Sequence, residues 1–485
     1  MRLSGQQRHR MADDDLCYIS AAEALRRFRE RSLSPVELMR AVITRAETVE
    51  PKINAFCATY YEEALEQARK AEARYANGKS PPRALEGIPV AIKDETMLKG
   101  RRTTQGSLLL KDHVDDATNP AAERILRAGA IVHARTTTPE FCCAGFTWSR
   151  LWGVSRTPWN LAYSPGGSSG GSAAALAAGT ATLANGSDIG GSIRIPASAC
   201  GVVGFKPPYG RNPDSAPFNL DWYNHVGPMA RTVADCALLQ NVMSGPHPDD
   251  IATVRPKVRI PSEFKPIRGW RIALSLDLDV FEVDGEVTNN TREAARALAG
   301  AGAEIEEVRL DWPDTIKSAL WWHWGAIMGP SIRKYVEQAP EQVTEYVREF
   351  VERTRSVTVE DFFRSVELEG QLYASMSKLL RRFDALICPT LAVPSVAADH
   401  DVRDRSFTIN GRPVDAYLDW CLTYPFNMLS RCPALAVPSG HADNGVPTGI
   451  QIVGRPFDDA SVFHIGAALE RAKPWLDAPA RRPGL

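Results

Sequence analysis

The sequence predicts an α/β fold in which helices are layered on a β-sheet. Short apolar runs that are typical of strands, GIPVAIKD at 87–94 and AIVHAR at 130–135, alternate with helical stretches such as PAAERILRAG. The same kind of run returns late in the chain in DALICPTLAVP, PALAVPSG and GIQIVGRP. With 485 residues and 44% hydrophobic content, the chain is long enough to bury a large core.

The N-terminal part is predicted to be helical over residues 20–76, after a flexible tail at 1–19. Ser34 and Pro35 stand where an N-cap serine and a first-turn proline would begin the second helix of this part. The third helix is expected to end at Asn77–Gly78. A helix of small residues at 173–179 can pack closely against a sheet.

A proline- and charge-rich stretch at 246–266 separates a second α/β pattern from the first. GWRIALSLD is predicted to be a strand, EVTNNTREAARALAGAGAEIEEVRL a helix followed by a strand, and 313–384 helical. The segment SVFHIGAALERA is the last predicted helix. The strand at 447–453 has no core of its own, so we expect it to join the first sheet, which favours one large domain over two.

Charge, hydropathy and cysteine content exclude several classes of protein. The net charge of −1 gives no basic excess to neutralise nucleic-acid phosphates. No run of about 18 apolar residues predicts a transmembrane helix, and the basic start MRLSGQQRHR lacks the apolar region of a secretory signal. Nine cysteines without a CxxC pair indicate reduced, mostly buried thiols, so we expect a cytoplasmic protein without a disulfide framework or a zinc site.

The strongest functional signal is a pair of serine-containing segments rich in glycine, GGSSGG at 166–171 and DIGGSIR at 188–194. A flexible linker is one interpretation, but the flanking segments are apolar. A phosphate-binding loop needs a lysine where Ser172 stands. The pattern around Ser168 also matches a nucleophile elbow, G-x-S-x-G, which needs a histidine base, and six histidines lie downstream.

A third interpretation uses both serines and a lysine. A serine hydroxyl needs a base, and a lysine can serve when burial lowers its pKa. Lys93 ends the apolar run GIPVAIKD, although a surface lysine at the end of a strand is the commoner arrangement. The glycines before Ser192 allow backbone N–H groups to converge on one point, as an oxyanion hole requires.

Several motifs together resemble the amidase signature family of serine hydrolases, over about residues 20–475. The matching segments are GIPVAIKD, TTTPEF, RTPWN, SPGGSSGGSAAALAAG, GSDIGGSIRIPASACGVVGFKP, HVGPMARTVAD, PFNMLSRCPALAVPSG and GVPTGIQIVGRPFDDASVF. The resemblance implies the amidase-signature fold, a large mixed central β-sheet covered by helices on both faces. It also implies a single domain over 20–485, with a signature core at about 80–245 and a C-terminal part at 267–475 that completes the sheet and the substrate pocket.

The resemblance implies a Ser–cisSer–Lys triad. Ser192 corresponds to the nucleophile, Ser168 to the serine on a cis peptide bond that relays the proton, and Lys93 to the neutral base. The oxyanion hole corresponds to the backbone N–H groups of Ile189, Gly190, Gly191 and Ser192. Supporting roles are predicted for Ser169, Asp188 and Arg194, and no metal or organic cofactor is implied. Ser187 stands where the family often has threonine.

Aromatic residues are concentrated where family members vary, and aromatic walls suit hydrophobic or aryl ligands. The candidate substrate-binding residues are Trp148, Trp222, Tyr223, Trp321 and Trp420, although many such residues belong to the core. We expect a hydrolase of small hydrophobic or aryl amides, with esters and carbamates (urethanes) as further substrates, acting as a monomer or homodimer. The alternative is an A-type component of a glutamine-dependent amidotransferase that supplies ammonia to a tRNA-bound partner. The pair Trp222–Tyr223 argues against this alternative, because the resemblance implies a different, polar segment at this place in such components.

Overall fold

The computed structural model describes residues 13–78 and 80–485. Its strands are β1 (Phe56–Thr59), β2 (Pro89–Lys93), β3 (Ile131–Thr136), β4 (Trp148–Ser149), β5 (Gly153–Val154), β6 (Leu183–Asp188), β7 (Val203–Lys206), β8 (His225–Ala230), β9 (Arg271–Leu274), β10 (Glu304–Glu307), β11 (Ala385–Pro389), β12 (Thr408–Ile409), β13 (Arg412–Pro413), β14 (Ala434–His441) and β15 (Pro447–Gly454). Its α-helices are α1 (Asp13–Cys17), α2 (Ala21–Glu30), α3 (Pro35–Ile53), α4 (Tyr61–Asn77), α5 (Pro120–Arg127), α6 (Gly170–Ala178), α7 (Arg194–Cys200), α8 (Val233–Met243), α9 (Gly285–Gly300), α10 (Thr315–Ala326), α11 (Met328–Gln338), α12 (Glu345–Arg355), α13 (Val359–Leu380), α14 (Pro425–Met428) and α15 (Asp459–Ala472).

One large mixed sheet runs through the molecule. It contains 11 strands in the order β1-β3-β2-β6-β8-β7-β14-β15-β11-β9-β10. Strand β2 is parallel to β3 and β6, whereas β14 is antiparallel to both β7 and β15. The predicted α/β fold with a large mixed sheet is therefore confirmed. The expectation that the strand at 447–453 joins the sheet of the N-terminal half is confirmed as well, because β14 connects β15 to β7.

The predicted N-terminal helices are present as α2, α3 and α4. The Ser34 side chain accepts a hydrogen bond from Val36 N at 2.9 Å, and the Glu37 side chain completes a capping box. Gly78 ends α4 in the left-handed conformation, with φ of 60°. The tail predicted at 1–19 needs a correction. Residues 1–12 lie outside the described residues, but 13–17 form α1, and the side chains of Cys17 and Ile19 are buried.

The sheet brings two strand ends together at one edge. Strands β2 and β6 are parallel neighbours, with Ala91 opposite Ala184. Their carboxyl ends, Lys93 and Asp188, therefore lie at the same edge, where open α/β sheets commonly bind ligands. The predicted helix of small residues is α6, which is buried along its whole length and contacts both strands. Its small side chains allow its first turn to lie close to this edge.

The predicted helical stretch at 313–384 forms α10 to α13. Apolar side chains of these helices pack with the segment around 385–434 in a hydrophobic cluster that also contains Ile195, beside the nucleophile loop. Helix α10 carries the aromatic run 321–324. Among the described residues, no helix is both long enough and apolar enough to cross a membrane.

Candidate active site

Lys93, the last residue of β2, is completely buried. Its backbone N–H donates to Asn185 Oδ1 at 3.0 Å, which ties the strand end to β6. Its Nζ donates to Ser168 Oγ at 2.7 Å and to Ser187 Oγ at 2.8 Å. Burying an ammonium or amine group is costly unless it is paired, so these contacts distinguish Lys93 from the surface lysine that often ends a strand.

A carboxylate that the sequence analysis did not single out also contacts Lys93. Glu95 Oε2 lies 2.9 Å from Lys93 Nζ, and Ser187 Oγ donates to the same oxygen at 2.5 Å. Glu95 lies in the turn that follows β2, so the alternation of side chains along a strand does not predict its direction. Its position two residues after Lys93 in the sequence IKDE is the signal that the sequence offers for Glu95.

Burial and the neighbouring groups shift the pKa of Lys93 in opposite directions. Burial lowers the pKa of Lys93, whereas Cys142 and Glu95 raise it, and the net direction is upward. Because burial raises the pKa of the Cys142 thiol to about 12, that thiol is neutral at pH 7. Glu95, whose own pKa is lowered despite the opposing effect of burial, is thus the anion that acts on Lys93 near neutrality. The expectation that burial lowers the pKa of Lys93 is therefore corrected, since the net direction is upward.

Ser168 precedes Ser169, the N-cap residue of α6, and is 1% exposed. The Gly167–Ser168 peptide bond is cis, as the resemblance implies. A Cβ on Gly167 would lie 2.3 Å from the backbone oxygen of Phe146, so only glycine permits this close approach of two chain segments. The glycine-serine stretch is therefore packed in the interior and is not a flexible linker, and the side-chain partner of Ser168 is a lysine.

Ser192 lies in the loop that joins β6 to α7. Gly191 has φ of 125°, and a Cβ there would lie 1.9 Å from Thr423 Oγ1, so the loop requires glycine at this position. Thr423 Oγ1 in turn donates to the backbone oxygen of Gly190 at 2.6 Å. The loop is thus held in one conformation by a residue far away in the sequence.

The structure places the four predicted oxyanion donors in two groups. The N–H of Gly191 donates to Asp188 Oδ1 at 2.8 Å and is not free for a ligand. The N–H groups of Ile189, Gly190 and Ser192 have no hydrogen-bond acceptor among the described residues. Asp188 therefore uses one of the four N–H groups to shape the turn.

Backbone hydrogen bonds join the segment that carries Ser168 to the loop that carries Ser192. The N–H of Ser169 donates to the backbone oxygen of Ser192 at 3.1 Å, and Ser169 Oγ donates to the oxygen of Ser187 at 3.4 Å. In the described part of the chain, the Ser192 hydroxyl makes no hydrogen bond. Of the two contacts that the predicted relay needs, the one between Ser168 and Lys93 is thus a hydrogen bond in this structure, whereas the one between Ser192 and Ser168 is not. Catalytic hydrogen bonds often tighten only when substrate is bound.

Asp188 and Arg194 form a completely buried ion pair beneath the nucleophile loop. Arg194 Nη2 lies 2.9 Å from Asp188 Oδ1, and Arg194 Nε donates to Asp188 Oδ2 at 3.0 Å. Arg194 also donates to the oxygen of Thr423 and to the side chains of Asn427 and Gln451. Burial acts to raise the pKa of Asp188, but Arg194 acts to lower it by more, so the net pKa lies below its ordinary value. This pair connects the loop to the C-terminal part of the sheet.

The substitution Asp188→Asn is expected to lower the free energy of unfolding by about 3–5 kcal/mol, because it leaves the buried Arg194 charge unpaired. Urea denaturation at pH 7 measures this change. Asp401→Asn is the matched control, since its pair with Arg403 is exposed and is expected to contribute less than about 1 kcal/mol. Equal effects of the two substitutions would contradict the role given to Asp188.

The five aromatic residues predicted to bind substrate are buried to different depths, and none of them lines the cavity that contacts Ser192. Trp420 and Tyr223 are completely buried, and Trp148, Trp222 and Trp321 are half-buried. Tyr223 stacks on His323 with ring centroids 3.5 Å apart and donates to Glu369 Oε1 at 2.8 Å. Their role in substrate binding stays a prediction.

A narrow cavity of about 10 Å³ lies against Ser192. Its walls are mostly apolar and consist of Cys142, Cys143, Ala144, Gly145, Ile189, Gly190, Ser192, Ile195, Trp324, Met328 and Leu418. The ring of Trp324 packs so tightly on Gly190 that a Cβ there would lie 2.7 Å from its Cζ2. Trp321 contacts Trp324 edge-on, at a centroid distance of 5.6 Å, so it lies one layer behind the wall.

Titratable groups of the metal-binding type do not cluster here. Among the residues that the structure describes, no group of three or more His, Cys, Asp or Glu side chains could hold a metal ion. The chemistry that this site offers is carried by hydroxyl, amine and carboxylate groups and by backbone N–H groups.

Comparison with known proteins identifies relatives along nearly the whole chain. The sequence profile of the Amidase family matches residues 37–463. An acylamidase of Rhodococcus erythropolis is 34% identical over 482 residues, which cover 96% of this chain and 98% of the relative. The A-type component of the glutamyl-tRNA(Gln) amidotransferase of Geobacter metallireducens is 32% identical, and the match covers 93% of this chain and 96% of that relative.

Solved structures are also similar to this chain over nearly its whole length. The crystal structure of a bacterial aryl acylamidase of the amidase signature family superposes with a TM-score of 0.88 at 31% identity, covering 96% of this chain and 99% of the other. A 6-aminohexanoate cyclic dimer hydrolase, solved with its substrate, gives a TM-score of 0.80 at 29% identity, with 96% and 99% coverage.

Proposed function

This chain belongs to the amidase signature family and is an amidase that hydrolyses carbon–nitrogen bonds other than peptide bonds, and we propose that it cleaves small hydrophobic or aryl amides through an acyl-enzyme on Ser192. The observation that carries the proposal is the buried hydrogen bond of 2.7 Å between Lys93 Nζ and Ser168 Oγ, next to the glycine loop of Ser192. A buried lysine joined to a serine is the base that a serine nucleophile without histidine needs.

In the proposed first stage, Ser192 Oγ attacks the substrate carbonyl carbon. Its proton passes to Ser168 Oγ, whose own proton passes to Lys93 Nζ. The negative charge that develops on the carbonyl oxygen is stabilised by the unbonded N–H groups of Ile189, Gly190 and Ser192. The N–H of Gly191 takes no part, because Asp188 accepts it.

In the second stage the same groups work in the opposite direction. The proton on Lys93 returns through Ser168 to the leaving amine, and the carbon–nitrogen bond breaks. Water then attacks the acyl-enzyme and gives up a proton along the same route, which frees the acid and restores Ser192. Esters and carbamates pass through a similar tetrahedral intermediate, so we propose them as further substrates.

The cavity beside Ser192 supports an apolar acyl group. Its walls consist mostly of hydrophobic side chains and include one tryptophan, and a pocket of this kind favours hydrophobic or aryl ligands. Since the cavity of about 10 Å³ has room for about one water molecule, Trp324, Met328 or Leu418 must move to admit an acyl chain.

The test is hydrolysis of three matched phenyl compounds: an anilide and a phenyl ester of the same acid, and a phenyl carbamate that carries the same hydrocarbon group on its nitrogen. We expect the purified protein to cleave the anilide, and the order of the three values of kcat/KM gives the preferred bond. Cleavage of none of the three, combined with no acylation by any of them, would contradict the proposal.

Removal of the Trp324 ring is expected to widen the acyl pocket. For Trp324→Ala, the ratio of kcat/KM for a phenylacetyl anilide to that for an acetyl anilide should rise about tenfold or more, because a single methylene group in a hydrophobic pocket already contributes about 1–3 kcal/mol. Trp270→Ala, in a different core cluster, is the control for general loss of packing. An unchanged ratio would show that the acyl group does not lie against Trp324.

The amidotransferase component remains the second candidate function, because A-type components of glutamyl-tRNA(Gln) amidotransferases are among the relatives of similar identity. The half-buried Trp222, whose Nε1 donates to Glu369, lies in the segment 218–228, where the family resemblance implies that this chain differs from the amidotransferase components. If the candidate held, the chain would copurify with a partner and cleave glutamine only in its presence. We expect instead that the isolated chain is active.

We also propose that the chain forms a single domain, since strands of both halves share one sheet. A single cooperative unfolding transition would support this organisation, and two separate transitions would contradict it. As for assembly and location, we propose a monomer or homodimer in the cytoplasm, and light scattering after gel filtration distinguishes the two assemblies.

A further inference from the structure

The site contains a carboxylate, that of Glu95, which the proposed mechanism does not use. Glu95 lies two residues after Lys93, with its Oε2 2.9 Å from Lys93 Nζ. Ser187 bridges the two, because it accepts from Lys93 Nζ at 2.8 Å and donates to Glu95 Oε2 at 2.5 Å. The Lys93 side chain is fully buried, whereas the Glu95 side chain is 30% exposed. The amine is therefore held between Ser168 on one side and the Glu95–Ser187 pair on the other.

We propose that Glu95 is a positioning residue that holds Lys93 in place together with Ser187 and sets the pH at which Lys93 becomes available as the base. This inference rests on the proposed function, in which Lys93 accepts the proton of Ser192 through Ser168. Glu95 does not touch the reacting atoms in this account. It acts only through Lys93.

The other charged groups around the pair are few. Cys142 faces Lys93 and Glu95, but burial raises the pKa of its thiol to about 12, so it carries no charge in the neutral range. Asp214 faces Glu95, and its pKa is raised to about 6 by burial first and by Glu95 as a smaller cause. Among the described residues, Glu95 is the only carboxylate within ion-pair distance of Lys93 Nζ.

The direction of the effect follows from the charge states. A carboxylate in contact with an amine stabilises the ammonium form, and an ammonium cannot accept a proton. Burial acts in the opposite direction and favours the neutral amine. Glu95 thus delays the appearance of the base as the pH rises, and its neutral isostere glutamine should allow the base to appear at lower pH.

The experiment compares pH profiles of kcat/KM for the wild type and Glu95→Gln with the same anilide or ester. The acidic limb of such a profile reports the ionisation of the base in the free enzyme. Because the pKa of Lys93 lies above its ordinary value, we expect the wild-type rate to keep rising with pH through the neutral range and into the alkaline range. The limb of Glu95→Gln should lie about one to three pH units lower. Glu95→Asp keeps the charge, so its limb should stay near that of the wild type while its rate falls.

Two results would overturn the inference. If the limb of Glu95→Gln coincides with that of the wild type, Glu95 does not govern the base. If Glu95→Gln is inactive at every pH while its thermal unfolding is unchanged, Glu95 takes part in proton transfer itself and is not a positioning residue. Glu63→Gln, which removes an exposed carboxylate paired with Arg101, controls for loss of one negative charge and should leave the limb unmoved.

Failure of this inference can be separated from failure of the proposed function. If Ser192→Ala and Lys93→Arg abolish hydrolysis but Glu95→Gln leaves the limb in place, only the role of Glu95 is wrong. If Ser192→Ala retains the wild-type rate, the proposed function is wrong, and the profile of Glu95→Gln no longer bears on Lys93.

Discussion

Ser192→Ala is expected to lower kcat/KM by at least about 10⁴-fold, because the reaction loses the atom that forms the acyl-enzyme. The fold should be unaffected. The Ser192 hydroxyl makes no hydrogen bond among the described residues, and alanine keeps the backbone N–H that we assign to the oxyanion hole. Far-UV circular dichroism and thermal unfolding therefore should match those of the wild type.

Ser198→Ala is the matched control for this experiment. Ser198 lies on the same segment, in helix α7, and is as buried as the nucleophile, with 2% exposure against 7% for Ser192. The control variant should retain activity close to that of the wild type. Hydrolysis by Ser192→Ala at a rate within tenfold of the wild type would exclude Ser192 as the nucleophile.

Lys93→Arg is expected to lower kcat/KM by about 10²–10⁴-fold, the usual contribution of a general base. Arginine keeps a cation beside Glu95, but it stays protonated at any pH the enzyme tolerates and cannot accept the proton of Ser168. Rates measured between pH 6 and pH 10 should be low throughout, without the rise expected for the wild type.

Lys93→Met separates loss of the base from loss of the charge. It removes both, and because Glu95 is 30% exposed, water can solvate the carboxylate that is left without its partner. Both variants should be about equally inactive if the missing function is proton acceptance. Activity of Lys93→Arg near the wild-type level would show that a positive charge suffices and that Lys93 is not the base.

Local features of the fold follow from local sequence patterns. The cap of α3 follows from Ser34 and Pro35, and strand β2 follows from the apolar run that ends at Lys93. The order of the eleven strands does not follow from such patterns, because the pairing of β14 with β7 joins segments more than 220 residues apart. From the sequence, only the resemblance to a known family implies a large mixed sheet.

In the candidate site, too, some features follow from the sequence and others depend on tertiary structure. The contact of Lys93 with Ser168 could be expected from the motifs, whereas the use of the Gly191 N–H by Asp188 depends on how one loop turns. Among the tryptophans of α10, Trp324 lines the cavity and Trp321 lies behind it. The composition of the run cannot distinguish them, since the rotation of a helix about its axis is set by tertiary packing.

The most direct test of the account is detection of the acyl-enzyme. The protein is mixed with a slowly hydrolysed phenyl carbamate, quenched in acid, digested and analysed by mass spectrometry. We predict a mass increase equal to the carbamoyl group on the peptide that contains Ser192, and its absence in Ser192→Ala. A modified residue other than Ser192, or turnover of the compound with no covalent adduct under conditions that trap one, would contradict the central claim.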